Sequence, residues 1–78
     1  MGKFIPKYKY FSNDGYKKIG YVRVNYISNL ICSLRGKDSF EIRAFLVGDS
    51  NAQIIGYGTK EECYKKMDEI VGLQVPEE

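Results

Sequence analysis

Histidine and tryptophan are absent from these 78 residues, and cysteine and proline each occur only twice. Without histidine the chain lacks the commonest general base, the usual partner in a catalytic triad and the commonest metal ligand. Cys32 and Cys63 can build neither a zinc site nor a CxxC redox motif. No apolar run approaches the roughly 18 residues of a membrane span, and the N-terminus lacks the apolar core of a signal peptide. The expectation is a soluble, cytoplasmic protein with no cofactor and no metal. No small-molecule substrate is indicated by any motif.

Two weaker patterns add no chemistry. Asp38 and Asp49 fall in turns at opposite ends of one strand, so these carboxylates do not converge, and Glu41 is accounted for by pairing with Arg35. Gly56-Tyr57-Gly58 lacks both the Lys-Ser/Thr of a P-loop and the spacing of G-x-G-x-x-G. It reads instead as a close approach of strand to helix.

What is present is a core-forming pattern. Hydrophobic residues make up 44% of the chain, which argues against disorder. The length suits one domain, residues 1–78, near the lower limit for a self-sufficient core. The clearest element is a helix. Thr59-Lys60-Glu61-Glu62 fits the capping box S/T-x-x-E. Cys63, Met67, Ile70 and Val71 then recur at helical spacing and mark one apolar stripe, flanked by Tyr64. Gly72 suits a left-handed stop, and Pro76 forbids continuation.

Three strands precede this helix: Leu30–Arg35, Glu41–Val47 and Gln53–Tyr57, separated by turn residues. A register with Leu34 opposite Ile42, Cys32 opposite Ala44 and Arg35 opposite Glu41 groups apolar side chains and opposes unlike charges. It continues with Leu46 against Ile54 and Ala44 against Gly56. One face then carries Leu30, Cys32, Leu34, Ile42, Ala44, Leu46, Ile54 and Gly56, and is assigned to the helix. Cys32 and Cys63 are expected there as buried thiols. The opposite face carries Ile31, Arg43, Phe45, Val47, Ile55 and Tyr57. A wetted face should alternate polar residues; this one does not, so it is the candidate protein interface. It is available to the N-terminal hairpin, to another protein or to a second copy in a homodimer.

The N-terminal third differs in charge. Through Val24, six basic side chains stand against Asp14 alone; from Asn25 onward, six basic face nine acidic. Phe4–Phe11 alternates Lys7 and Lys9 with Tyr8 and Tyr10. Ser12-Asn13-Asp14-Gly15 is turn chemistry, and Tyr16–Val24 follows as a second strand with a bulge near Gly20. Lys7, Tyr8, Lys9, Tyr10, Lys17, Lys18 and Arg23 form a candidate surface for single-stranded nucleic acid, where cations meet phosphates and rings stack on bases. The plainer alternative is an edge guarded by lysine.

The fold class expected is α+β: a curled antiparallel sheet, made of an N-terminal hairpin and a three-stranded meander, with one C-terminal helix. From Val24 to Val71 the order of features resembles the small FlbD-like flagellar proteins and other short bacterial and phage proteins. These features are a short strand, the corner Asn25-Tyr26-Ile27, a strand ending in a charged turn, a strand–turn–strand pair and the Thr59–Glu62 helix start. The resemblance implies the meander-plus-helix fold and a small, non-enzymatic accessory protein.

Overall fold

A computed structural model describes residues 3–74. Five strands form one unclosed antiparallel sheet in the order β2-β1-β5-β4-β3. The strands are β1 (Phe4–Phe11), β2 (Gly15–Arg23), β3 (Ile27–Gly36), β4 (Ser39–Leu46) and β5 (Ala52–Gly58); helix α1 (Lys60–Leu73) follows. The expected α+β class is what the structure shows. No helix among the described residues is long and apolar enough to cross a membrane.

The capping box closes the start of α1. The Glu62 amide donates to Thr59 Oγ1 at 3.2 Å, and the Thr59 amide donates to Glu62 Oε1 at 2.9 Å. Gly58 makes this possible. Its φ is +142°, and a Cβ there would sit 2.6 Å from Glu62 Oε1. The end of the helix differs from expectation. The helix runs through Gly72, and Gln74 in extended conformation ends it. The Gln74 side-chain amide donates to the carbonyls of Val24 and Ile27 at 3.2 and 3.0 Å. A tertiary tie thus replaces the local glycine stop. Pro76 lies outside the described residues.

The helix packs on β3, β4 and β5. Cys63 and Ile70 are buried there, with Met67 partly so. Val71, expected on the same stripe, is 57% exposed. Ile5 and Val22 of the hairpin join Val24, Ile27, Ile42, Ala44 and Ile55 in that core. Gly56 leaves room for the side chain of its cross-strand partner Ile42, since a Cβ there would lie 2.9 Å from Ile42 Cδ1, whereas the nearest helix atom, Lys66 Cγ, would be 3.8 Å away.

The meander's register is shifted by two residues from the one expected. Cys32 pairs with Ile42 and Leu30 with Ala44, because Gly36 and Ser39 close a two-residue turn and Asp38 adopts a φ of +57°. A shift of two leaves every side chain on its own face. Between β4 and β5 the correction is larger. Ile42 pairs with Gly56 but Arg43 pairs with Ile54, so Ile55 is an extra, bulged residue. The bulge turns Ile55 into the core, fully buried, and puts Ile54 on the face of Arg43. Ile55 therefore does not belong to the outer face, where strict alternation placed it.

Candidate functional site

Two surfaces emerge: the outer face of the sheet, and the free edge formed by β3. The outer face holds a polar hub. Glu41 is fully buried, with Tyr57 and Ser33 as its neighbours across the strands. Arg43 donates to its Oε1 through Nε at 3.0 Å and approaches through Nη2 at 2.9 Å. Arg35, the expected partner, stands farther off at 3.9 Å. The Tyr16 hydroxyl donates to Glu41 Oε2 at 2.7 Å. Hydrogen bonds to charged groups are the strong ones.

Tyr16 reaches Glu41 because the hairpin curls over the sheet. Within the hairpin, Tyr10 lies opposite Tyr16, and Lys9 opposite Lys17. Tyr10 and Tyr16 therefore share one side with Tyr8 and its cross-strand partner Lys18, while Lys9 and Lys17 point to the other. Tyr16 stacks on Tyr57 with ring centroids 4.2 Å apart, and Tyr8 meets Tyr57 edge-on at 5.3 Å. Tyr10 meets Tyr16 edge-on, and the Arg35 guanidinium sits 4.2 Å from the Tyr10 ring centroid. Such ring pairs are worth about 0.5–1.5 kcal/mol beyond their burial. The hairpin thus covers the Tyr57 end of the outer face.

Burial, and then the hydrogen bond to Glu41, push the Tyr16 hydroxyl up to about 12 from an ordinary 10.0. The folded state holds this proton more tightly than the unfolded chain does. The resulting stabilisation is complete below pH 10.0 and is lost as pH rises through about 12. A difference titration of the parent protein against Tyr16→Phe, followed by phenolate absorbance, should show a step centred near 12. A step at 10.0 would place the hydroxyl in water.

The basic aromatic residues are thereby divided. Tyr8, Tyr10 and Tyr16 are engaged with the outer face. Lys9, Lys17, Lys18 and Arg23 are exposed, and Lys7 is half-buried. The rings left most open on the hairpin are Phe4, Tyr21 and Phe11. Arg23 lies over Phe4 and Tyr26, Lys18 over Tyr21 and Lys9 over Phe11. Lys17 pairs with Asp14 at 3.7 Å in solvent.

The other end of the outer face stays open. Ile31 is 37% exposed, while Phe45 and Arg43 are half-buried. Val47, just past β4, is largely exposed, and Tyr57 keeps part of its ring in solvent. Ile31 lies on β3, which pairs with β4 alone and forms one border of the sheet. On the helix side of that strand Leu34 is 68% exposed. Farther toward the start of β3, from Ile27 to Leu30, a groove of about 430 Å³ runs between the strand and α1, bordered by Leu30, Tyr64, Met67 and Val71.

The two borders of the sheet are built differently. β2 carries Lys17, Lys18 and Arg23, with a bulge at Ile19. Lysine and bulges are the devices that keep an edge from pairing. From Ile27 to Leu34, β3 carries no charge and no proline. Its bulges lie at its ends, at Ser28 and Arg35, leaving Asn29–Leu34 regular. The outer face expected from the sequence does not contain Leu30 or Leu34, nor the helix residues Tyr64 and Val71. The signal available was the uncharged run Ile27–Leu34 itself.

Chemistry is sparse at both surfaces. Among the described residues no three potential ligands gather to hold a metal ion. Burial, and then its neighbour Cys32, push the Cys63 thiol up to about 11, away from the reactive thiolate. The chain matches no protein-family model, and neither a curated protein nor a solved structure matches it significantly.

Proposed function

We propose that this chain is a non-enzymatic interaction protein that binds an extended segment of another protein along β3. The observation that carries the reading is the unguarded edge. Outward N–H and C=O groups of Asn29–Leu34 offer a ladder, and apolar side chains flank it on both faces. Ile31 and Phe45 lie on the outer side, Leu30 and Leu34 on the helix side. Strand addition takes affinity from main-chain hydrogen bonds and specificity from pockets for alternate side chains. The groove against Tyr64 and Val71 is such a pocket.

The test is to pan the immobilised protein against a display library of extended peptides. Binders with alternating apolar residues should emerge. Leu34→Lys should abolish their binding, while Lys17→Gln/Lys18→Gln, on the opposite edge, should leave it intact. Binders indifferent to Leu34→Lys would overturn the assignment. A single-stranded oligonucleotide included in the same assay should not bind. Salt-sensitive binding lost on changing Lys9, Lys17 and Lys18 to Gln would favour the basic hairpin instead.

A further inference from the structure

We infer that the segment received by β3 is β3 of a second copy, paired antiparallel about a two-fold axis through Cys32. The inference rests on the reading of β3 as the binding edge and names its occupant. Three observations select a second copy. First, the regular stretch Asn29–Leu34 is bounded by a bulge on each side, so the same run of backbone is free on both partners. Second, residues directly opposite one another share a sheet face, so a two-fold axis must pass through a residue. With Cys32 on the axis, Leu30 faces Leu34 of the other copy and Ile31 faces Ser33, while each Arg35, at the bulge opposite Asn29, keeps its guanidinium over Tyr10. No charge meets a like charge. With Ile31 on the axis, Leu34 would face Ser28 and lose its apolar neighbour; apolar matching sets register.

Third, each copy supplies what the other lacks. Leu34 is 68% exposed, more than any other apolar side chain on the strand. Leu30 borders the groove against Tyr64 and Val71. Setting Leu34 opposite Leu30 of the other copy brings it to the mouth of that groove. The axis runs through the sheet, so both helices lie on one side and a ten-stranded sheet results. The remaining edges are the two copies of β2, guarded by Lys17, Lys18 and Arg23, so assembly stops at two. Closed two-fold dimers are the commonest soluble oligomers.

Sedimentation velocity across a dilution series tests this. The parent should run as a dimer that dissociates on dilution. Leu34→Lys should run as a folded monomer at every concentration, since the side chain it replaces is mostly in solvent. Ile19→Lys, also exposed but on β2 at the opposite edge of the sheet, should remain dimeric. In a Cys63→Ala background, the thiol oxidant diamide should take one hydrogen from each Cys32 and leave a dimer joined through Cys32–Cys32, identified by peptide mapping. A monomeric parent at the highest attainable concentration would overturn the inference. So would a dimer that survives Leu34→Lys, or one whose oxidation leaves Cys32 unlinked. If the parent is monomeric yet Leu34-sensitive peptides still bind it, the binding edge stands and only its occupant is wrong. If neither is seen, both readings fail.

Discussion

Ile55→Ala is expected to lower stability by about 2–5 kcal/mol, the range for emptying a fully buried isoleucine site. Domains of this size have a total stability of about 0.05–0.15 kcal/mol per residue, so the loss is a large share of the whole. The reason is the bulge between β4 and β5. It turns Ile55 into the core with Ile42, Cys63 and Ile70, where it has no exposed surface. The walls are strands and a helix fixed by their own hydrogen bonds, so little collapse can refill the site. Urea unfolding measures the effect. A loss below about 0.5 kcal/mol, the scale of a neutral surface change, would put Ile55 back on the outer face.

Glu41→Ala should cost about 2–4 kcal/mol. Removing one partner of a buried charge pair typically costs about 3–5 kcal/mol. The figure is reduced here because the Arg43 and Arg35 side chains are 43% and 38% exposed and solvent stabilises them once released. The change also removes the acceptor of the Tyr16 hydroxyl, a bond that ties the hairpin to the meander beside the ring contacts of Tyr8 and Tyr16 with Tyr57. Beyond these contacts, backbone pairing of β1 with β5 is limited to Tyr8 opposite Ile54. The distal end of the hairpin should therefore loosen, and proteolysis near Asn13 should quicken. Glu41→Gln keeps the shape and an acceptor, and should fall between Glu41→Ala and the parent. Equal stability of all three in urea would show that the hub contributes nothing to holding the hairpin.

The elements legible in the sequence were those with local causes. Thr59 and Glu62 are three residues apart, and their capping box stands as read. The Ser12–Gly15 turn and both hairpin strands are equally local. The meander was legible in its faces but not in its shift, because alternation fixes parity and leaves a slip of two residues open. Ile54-Ile55 defeats alternation altogether. Both are β-branched and apolar, so no pattern says which one a bulge turns inward. The Glu41 hub was hidden for a different reason: its hydroxyl partner, Tyr16, lies 25 residues away, and only the curl of the hairpin brings the two together. The unguarded edge was legible in composition as the run Ile27–Leu34. Knowing that this run borders the sheet required the strand order.

Amide hydrogen exchange, followed residue by residue at low and high protein concentration, tests the central claim most directly. β2 and β3 are both edges, and each exposes half of its backbone groups to solvent. If β3 is the binding edge and accepts a second copy, the outward amides of Asn29–Leu34 should exchange fast when dilute and slow markedly when concentrated. Those of Lys17–Tyr21 should exchange at the same rate in both. Equal exchange of Asn29–Leu34 at both concentrations, or slowing confined to Lys17–Tyr21, would contradict the account.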